Sequence, residues 1–369
     1  MFCAQVARTR YCRLPKLYPP MNPASYLKYA MRCWWSLLRS ARETSKTAVL
    51  TRAWSHHAKR SGYHHVAEGL GTVLPMPTRF IPNTISRWIA GNGLGDAYQV
   101  ALAMKIARCN RLLVIDADFN LELIEGIRRF TPAKIYAVFH QIPSVLEQLL
   151  AKITCRLVDG AVCVARCQIP VIQRVTPPEK TWFVPHGVDT EYFTPRATRS
   201  ARPSVVCVGV HQRNFDVLRE AADLITRALP AASVRLIAPR SYLPPGLNLG
   251  RVELVSGLND QQLREEYRRA WVVLLPLMDS TANNSLLEAM ACGTPVVVSD
   301  VGGVRDYTGL ECGALCPPGN SQAHGAATID LLLDSCRRVA ASQAARSWAE
   351  MYAWPKVREQ IRLILHETN

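Results

Sequence analysis

Apolar and polar positions follow two alternating patterns from residue 47 onward. Short runs rich in β-branched residues, typical of buried strands, are separated by longer stretches with the apolar spacing of helices. This order predicts parallel strand–helix–strand units with helices on both faces of a sheet. The predicted strands form two sets, at residues 48–54, 111–115, 134–139, 160–164 and 181–184, and at 204–210, 232–237, 252–255, 271–275 and 295–299. Two similar, doubly wound sheets are therefore expected.

A polar stretch separates the two sets of strands. Residues 189–203 contain Pro195, Pro203 and three arginines, and they show no apolar periodicity. Such a composition is typical of a connection between domains. The expected organisation is a basic segment at 1–46, a first domain at 47–194, a linker at 195–201, a second domain at 202–349 and a final segment at 350–369.

The composition is that of a globular protein. The chain has 369 residues, of which 49% are hydrophobic, and this is ample material for two packed cores. No run reaches the 18 consecutive apolar residues of a spanning helix, and no heptad repeat is sustained. A membrane-spanning protein, a fibre and a disordered chain are therefore excluded.

Much of the positive charge lies at the start of the chain. The net charge is +15, and residues 1–46 hold nine basic side chains with a single acid, Glu43. An organelle transit peptide, a helix lying on a membrane surface and a leader translated from an upstream start all fit this segment. We expect peripheral contact with an anionic membrane.

The cysteines and histidines do not show the spacing of a metal site. The twelve cysteines are scattered without a Cys-x-x-Cys pair, and the four histidines between residues 55 and 65 form two adjacent pairs. The sequence therefore predicts no metal ion, and reduced, mostly buried thiols in a cytosolic protein.

The most informative stretch is residues 283–303, NNSLLEAMACGTPVVVSDVGG. Asn283 or Asn284 is a good helix cap, and Gly293 followed by a proline ends the helix. Helical spacing places Asn284 and Glu288 on one face, away from the core. The free N-terminus of such a helix attracts phosphate, and Glu288 could accept hydrogen bonds from a ribose diol. On spacing alone, a solvated helix carboxylate is the simpler interpretation of Glu288.

This stretch resembles the donor-site motif of the retaining family 4 (group 1) glycosyltransferases, enzymes of the GT-B fold. Further segments agree with that family in order and spacing, namely VPHGVDTEYFTP at 184–195, VVCVGVHQRNFDVLREAADLI at 205–225 and RVELVSGLNDQQLREEYRRAWVVLLP at 251–276. The tail ARSWAEMYAWPKVREQI is similar to the final helices that cross back to the first domain in this fold. The resemblance implies an α/β protein whose two Rossmann-like, doubly wound parallel-sheet domains face a central cleft.

The resemblance also implies roles for single residues on the donor side. Glu288 matches the family's ribose-binding Glu. The family's preceding Glu, eight positions earlier, contacts the transferred sugar and is replaced here by Ser280, next to Asp279. Arg213 and His211 are the nearest matches to the basic residue that holds the diphosphate. The implied donor-binding set is Gly209, His211, Arg213, Ser280, Asn283, Asn284, Ser285, Leu286 and Glu288.

On the acceptor side the candidates are Gly62, Tyr63 and His140. Gly62 falls where the family has glycines that let the backbone approach the substrates. His140 follows the predicted strand 134–139 and would join Arg213 and Glu288 in catalysis, although a structural role in a strand-end turn is equally open. Asp116 and Asp118 imitate the Asp-x-Asp metal motif of the other large glycosyltransferase fold, and we interpret them as helix-capping or loop residues.

The resemblance implies transfer of a hexose-type sugar from a UDP- or GDP-sugar to an acceptor hydroxyl, with retention of configuration. The acceptor would be a glycan, a lipid-linked molecule or a small molecule. Catalysis would come from positioning and leaving-group stabilisation after hinge closure, with no cofactor. The expected location is the cytoplasm, at the inner face of a membrane. Because Ser280 departs from the pattern, a degenerate relative that binds nucleotide sugar or glycan without turnover is the alternative.

Two other classes of protein fit poorly. The glycine-rich run at Gly91, Gly93 and Gly95 has the wrong spacing for a dinucleotide-binding dehydrogenase and does not follow a strand. No helix-turn-helix, zinc-finger or RRM signature accompanies the positive charge, so no nucleic acid partner is expected.

Overall fold

The computed structural model describes residues 46–51, 62–75, 94–151, 153 and 157–367. Residues 1–45, which include most of the basic N-terminal segment, lie outside the described residues. So do residues 52–61 of the loop after the first strand, together with Gly91 and Gly93 of the glycine-rich run. In the described part of the chain, no helix has both the length and the apolar character needed to cross a membrane.

The described residues form two parallel six-stranded sheets. The first sheet has the order β2-β1-β3-β4-β5-β6, with β1 Thr47–Thr51, β2 Thr72–Pro75, β3 Arg111–Val114, β4 Lys134–Phe139, β5 Gly160–Cys163 and β6 Thr181–Phe183. The second has the order β12-β11-β10-β7-β8-β9, with β7 Ser204–Val208, β8 Ser233–Ile237, β9 Glu253–Val255, β10 Val272–Leu275, β11 Val296–Ser299 and β12 Gly313–Cys316. The prediction of two doubly wound parallel sheets is confirmed.

Each sheet has one strand more than the sequence predicted. The additional strands, β2 and β12, each lie at an outer edge. β2 ends in Pro75 and β12 begins with Gly313, and these residue types weaken a strand prediction. Both strands nevertheless pair in register with a predicted neighbour. Hydrogen bonding to a neighbouring strand therefore stabilises β2 and β12, although their own residues favour a strand only weakly.

Helices cover the sheets, and in the second half most of them begin at an Asn or Asp cap. Asn283, for example, accepts a hydrogen bond from the backbone N–H of Leu286. The first half contains α1 Leu94–Ile106, α2 Leu121–Arg128, α3 Pro143–Leu150 and α4 Ile169–Ile172. The second half contains α5 Phe215–Ala228, α6 Asp260–Arg269, α7 Asn284–Ala291, α8 Ser321–Leu333, α9 Ser335–Met351 and α10 Trp354–Glu367.

The central strands are buried because helices lie on both faces. In β11, Val296, Val297 and Val298 are each at most 1% exposed, as expected of an uninterrupted apolar run in a parallel sheet. The last helix, α10, buries Val357 and Ile361 against residues of the first sheet. The end of the chain thus contributes to the core of the first half.

The two chain crossings between the halves lie side by side. The backbone N–H of Val188 donates to the carbonyl of Tyr352 at 2.9 Å, and the N–H of Trp354 donates to the carbonyl of Val188 at 3.3 Å. A short parallel bridge between Val188 and Ala353 therefore links the segment that leaves the first half to the segment that returns to it.

Residues 189–203, expected to be a polar linker, are held against the second half. Phe193 is 1% exposed and belongs to the core of that half. Arg199 donates to the carbonyls of Ala270 and Gly293, and burial lowers its pKa to about 10. Arg346 donates to the carbonyl of Phe193 at 2.9 Å. Residues 189–203 therefore pack as part of the second half.

Candidate functional site

The short helix α7 forms as its sequence predicts. The Oδ1 of Asn283 accepts a hydrogen bond from the N–H of Leu286 at 3.1 Å. The helix ends at Ala291, and Gly293, with a φ of +65°, lets the chain turn toward β11. Because α7 follows β10 in a parallel sheet, its N-terminus lies at the carboxyl edge, where open α/β sheets bind ligands.

Glu288 is buried, so the expectation of a solvated carboxylate is wrong. It is 5% exposed, and the hydroxyl of Tyr267 donates to its Oε2 at 2.9 Å. Burial, followed by the charge of Glu288, raises the pKa of Tyr267 well above its ordinary value, and the phenol stays protonated. Glu288 and Asn284 line a narrow cavity together with Gly62 and Trp354. The polar face of α7 thus points into a cleft between the two halves and not into solvent.

Arg213 lies beneath the loop after β7 and is 5% exposed. Its Nε donates to the carbonyl of Val208 at 3.0 Å, its Nη1 to the carbonyl of His211 at 3.0 Å, and its Nη2 to Ser285 Oγ at 3.2 Å. Burial lowers the pKa of this guanidinium. The described residues surround it with carbonyls, a hydroxyl and a thiol, without a carboxylate in hydrogen-bond contact. Such a cation is electrostatically suited to an anion at the start of α7.

Gly209 and Ser285 meet beside this guanidinium. Gly209 has a φ of +85°, and a Cβ there would lie 3.4 Å from the Nη2 of Arg213 and 3.7 Å from Ser285 Oγ. The side chain of His211 is exposed. Leu286 is turned into the core, and its N–H is taken by Asn283. Its side chain therefore does not line the cavity, and its assignment as a donor-binding residue stays a prediction.

Ser280 is buried in the loop between β10 and α7. Its N–H donates to Asp279 Oδ1 at 2.7 Å, and its carbonyl accepts from the N–H of Gly303 at 2.8 Å. A Cβ on Gly302 would lie 2.6 Å from Asp279 Oδ1. The carboxylate of Asp279 is thus folded onto its own loop, and it does not take the place of the acid that Ser280 replaces.

The acceptor-side candidates lie together on the first half. Gly62 precedes the 3-10 segment Tyr63–Ala67, and the ring of Tyr63 packs edge-on against His140 with 4.8 Å between centroids. His140 Nε2 lies 2.8 Å from the carbonyl oxygen of Ile115. A carbonyl only accepts, so Nε2 carries a proton and donates to it.

Hydrogen bonds join the two halves next to these candidates. Thr281 Oγ1 donates to the carbonyl of His140 at 2.6 Å, and the N–H of His186 donates to the hydroxyl of Tyr307 at 2.8 Å. The cavity that Glu288 lines measures about 10 Å³, enough for roughly one water molecule. The two halves are therefore closed on each other in this conformation.

Three residues of the cleft were missed by the sequence analysis. His186 Nδ1 lies 2.7 Å from the carbonyl oxygen of Gly187, and the ring of Trp354 packs 5.2 Å from His186 and 5.6 Å from Tyr63. A Cβ on Gly187 would lie 2.6 and 2.7 Å from two ring atoms of Trp354. A signal was present in the sequence, because His186 and Gly187 lie within VPHGVDTEYFTP, a segment that supports the family resemblance but to which no site residue was assigned.

Several buried polar atoms at this wall have no hydrogen-bond partner among the described residues. They are the hydroxyl of Tyr63, Nδ1 of His64 and Nε1 of Trp354. Burial raises the pKa of the Tyr63 hydroxyl, which therefore keeps its proton. These groups leave hydrogen-bonding capacity on the first-half side of the cleft.

The Asp-x-Asp pair holds a loop. Asp118 Oδ2 accepts a hydrogen bond from the N–H of His140 at 2.7 Å, and burial raises the pKa of this carboxyl. Asp116 heads the 3-10 turn Ala117–Phe119 without a side-chain capping bond. The loop interpretation fits Asp118, and the capping interpretation fails for Asp116.

The possible metal ligands and the thiols are scattered through the described part of the chain. Among those residues, no three or more His, Cys, Asp or Glu side chains are grouped to hold a metal ion. The described cysteines are free thiols, and all but Cys167 and Cys336 are buried, as predicted.

Comparison with known proteins gives a family match within the second half. Residues 202–334 match the model of the group 1 glycosyl transferases. A D-inositol 3-phosphate glycosyltransferase of Geodermatophilus obscurus is 32% identical over 206 residues, which are 48% of this chain and 45% of the relative. An MMP alpha-(1->4)-mannosyltransferase of Mycolicibacterium hassiacum is 28% identical over 236 residues, covering 60% and 54% of the two chains. The chain thus spans about half the length of the curated relatives it matches.

Solved structures extend the likeness to both halves. HepE of Anabaena, in complex with UDP and glucose, superposes with a TM-score of 0.68 at 14% identity and covers 87% of this chain and 99% of its own. Sucrose-phosphate synthase of Thermosynechococcus elongatus gives a TM-score of 0.63 at 17% identity and covers 92% of both chains. The fold is GT-B.

Proposed function

We propose that this chain, whose residues 202–334 match the model of the group 1 glycosyl transferases, transfers a hexose-type sugar from a UDP- or GDP-linked donor to an acceptor hydroxyl with retention of configuration. The observation that carries the proposal is the burial of Glu288 at a cavity shared by both halves. A carboxylate can accept several hydrogen bonds, so Glu288 could accept from a ribose diol in addition to the hydroxyl of Tyr267.

The donor diphosphate would lie at the N-terminus of α7. That helix end is positive, and the guanidinium of Arg213 is buried beside Ser285 in its first turn. Arg213 donates to carbonyl and hydroxyl oxygens that carry no net charge, so its positive charge could act on the diphosphate. As the sugar leaves, the nucleoside diphosphate gains negative charge, and these fixed dipoles and the cation would stabilise it without a cofactor.

Binding requires the two halves to separate. A cavity of about 10 Å³ is far below the several hundred Å³ that small-molecule sites provide. Opening would break the contact between Thr281 and His140, and closure on the substrates would restore it and exclude water. His140, Tyr63 and Gly62 would then face the acceptor.

The acceptor is proposed to be a glycan, a lipid-linked molecule or a small molecule carrying a hydroxyl. The relatives' printed names, an inositol phosphate glycosyltransferase and a mannosyltransferase, support the general reaction class. We propose a cytoplasmic location at the inner face of a membrane, because residues 1–46 carry nine basic side chains and one acid.

The donor site is tested with UDP, GDP and ADP by calorimetry, on the wild-type chain and on Glu288→Gln. Losing the charged acceptor of a ribose hydroxyl costs about 2 kcal/mol, so the nucleotide that binds should bind roughly thirtyfold more weakly. Asp116→Asn changes another buried carboxylate and should leave the affinity unchanged. Wild-type affinity in folded Glu288→Gln removes the assignment.

A second function, binding without turnover, is favoured by one observation. Ser280 stands where the resembled family has an acid, and Asp279 is turned away from that position. A chain of this kind would bind nucleotide sugar but release neither free sugar nor a glycosylated product across a panel of acceptors. Sugar transfer to any acceptor would show that the chain is an enzyme. Hydrolysis of the donor by wild type that is lost in Glu288→Gln would show the same.

A further inference from the structure

The two halves meet where β5 and β6 end. Residues 303–307, which follow β11 in the second half, lie against residues 164–166 of the first. A Cβ on Gly303 would lie 2.5 Å from the Cβ of Ala165, so a residue larger than glycine would push the two segments apart. The backbones of the two halves therefore approach each other closely at the carboxyl edge of the first sheet, the edge that faces the cleft.

The hydroxyl of Tyr307, on the second half, bonds to two backbone groups of the first half. It accepts a hydrogen bond from the N–H of His186 at 2.8 Å and donates one to the carbonyl of Val164. These two groups follow β6 and β5, and the N–H of Val184 donates to the carbonyl of Cys163 at 3.0 Å just before them. The phenol oxygen thus bridges the two strand ends directly beyond that hydrogen bond.

Both partners of this hydroxyl are buried. Val164 and Tyr307 are fully buried, and His186 is 6% exposed. Burial raises the pKa of Tyr307 well above its ordinary value, so the hydroxyl keeps the proton that it donates to Val164. A buried N–H or carbonyl that loses its partner is costly, whereas water can bond to both groups once the halves separate. The hydroxyl therefore stabilises the closed conformation relative to an open one.

The preceding residue makes a second contact between the halves. Asp306 Oδ2 accepts a hydrogen bond from the backbone N–H of Arg166 at 2.8 Å, and Asp306 Oδ1 lies 3.3 Å from the Nε of the same arginine. The side chain of Arg166 is 67% exposed, so the ion pair contributes little. Asp306 and Tyr307 thus hold one backbone N–H after β5 and one after β6, and separation of the halves would free both amides together.

We propose that the hydroxyl of Tyr307 is a latch between the two halves, whose bonds to Val164 and His186 break when the cleft opens and form again when it closes. Its control of nucleotide passage rests on the function proposed above, because the cavity at Glu288 is too small for a nucleotide in the closed conformation. Since the cleft is closed both before binding and around the bound nucleotide, loss of the latch speeds entry and exit alike and leaves the affinity nearly unchanged.

The latch itself is tested without any ligand, by amide hydrogen exchange of the full chain resolved to single residues. Arg166 is the informative amide, because Tyr307→Phe leaves its own acceptor, Asp306, in place. If one opening event frees both amides, the N–H of Arg166 in this variant should exchange about tenfold faster, together with that of His186. This factor corresponds to about 1.4 kcal/mol lost from the closed conformation. The converse variant, Asp306→Ala, should likewise speed exchange at His186.

Tyr352→Phe is the matched control. The hydroxyl of Tyr352 donates to the carbonyl of Asp306 at 2.9 Å within the second half. The variant therefore loses a tyrosine hydroxyl from the same region without losing a bond between the halves. The amides of Arg166 and His186 should exchange as in wild type. Thermal unfolding of each variant shows whether it is folded.

The second measurement is stopped-flow binding of whichever of UDP, GDP and ADP binds in calorimetry. Tryptophan fluorescence reports the binding, because Trp354 lines the cavity with Glu288. Tyr307→Phe should raise the association and dissociation rate constants by about tenfold each, and the Kd should stay within about twofold of wild type. The Tyr352→Phe control should keep all three values.

Four results would decide against the latch or separate it from the reaction. Faster exchange at His186 with Arg166 unchanged would show that Tyr307 supports only its own contact. Equal changes in Tyr352→Phe would show that any loosening of this region has the same effect. A higher dissociation rate constant alone, with weaker binding, would make Tyr307 a structural support of the site. If the amides respond as expected but no nucleotide binds to any of the chains, the latch stands and the proposed function fails.

Discussion

Gly187 is the position where the structure gives the sharpest test of how the cleft is packed. A Cβ at this residue would lie 2.6 and 2.7 Å from ring atoms of Trp354, and the φ of Gly187 is outside the left-handed region. The cost of Gly187→Ala is therefore steric and not a matter of backbone strain. Trp354 is 5% exposed and packs against His186 and Tyr63, so the ring has little room to retreat.

The expected magnitude follows from these contacts. Ordinary contact distances begin near 3.4 Å, so ring atoms at 2.6 and 2.7 Å must move away by about 0.7–0.8 Å against their neighbours. Overpacking of a filled core costs about 1–3 kcal/mol. A loss of about 2 kcal/mol lowers the Tm by roughly 4–8 °C for a domain of 150–250 residues. Because Trp354 also lines the cavity with Glu288, nucleotide affinity should fall as well.

The assay is thermal and urea unfolding together with nucleotide calorimetry. The matched control is Gly309→Ala, whose Cβ would meet the carboxyl carbon of Glu311 at 2.7 Å. Glu311 is exposed, and its carboxylate can swing away at the cost of an exposed hydrogen bond from Trp348, so this control should lose less than about 1 kcal/mol. In a Trp354→Leu background the substitution Gly187→Ala should cost much less than in wild type. If Gly187→Ala and Gly309→Ala lowered the free energy of unfolding equally, or if Gly187→Ala did not lower it, the steric explanation would be wrong.

Two further predictions concern buried polar groups. Tyr267→Phe removes the donor to Glu288 and should lower the free energy of unfolding by about 1.5–3 kcal/mol, the value for a hydrogen bond to a charged acceptor; urea unfolding that matches wild type would contradict it. His324 is fully buried between Ser299 Oγ at 3.0 Å and the carbonyl of Asn320 at 2.7 Å, and burial lowers its pKa below the ordinary 6.5. Its neutral ring therefore contributes stability that is complete above about pH 6.5 and is lost as the pH falls through the lowered pKa. The difference in the free energy of unfolding between wild type and His324→Gln, measured in urea at pH 7.5, 6.5 and 5.5, should therefore shrink toward acid. A difference that stays constant or grows toward acid would contradict this.

The strands that the sequence predicted are those whose own residues favour a sheet. The run at Val296, Val297 and Val298 needs no neighbour to be recognised as buried. Pro75 and Gly313 weaken the local signals of β2 and β12, and these strands exist because β1 and β11 offer them a parallel edge. The pairing that forms these two strands depends on residues that are distant in the sequence, so periodicity within a short window cannot predict it.

The site shows the same division. The helix around Glu288 and its capping by Asn283 follow from local residues, and both were predicted. Glu288 shares its cavity with Gly187, just before the chain first crosses between the halves, and with Trp354, just after the chain returns. Tyr267, the donor to its carboxylate, comes from α6. Helical spacing could place Glu288 on the polar face of α7 but could not show that this face is covered.

The central claim is that a nucleotide sugar binds with its diphosphate at the start of α7 and its ribose on Glu288. The most direct measurement is a crystal structure of the chain with the nucleotide that raises its melting temperature most. We expect a ribose hydroxyl within about 3.2 Å of a Glu288 carboxylate oxygen, and phosphate oxygens beside Arg213 and Ser285. A nucleotide bound away from α7, with Glu288 still held only by protein groups, would contradict it.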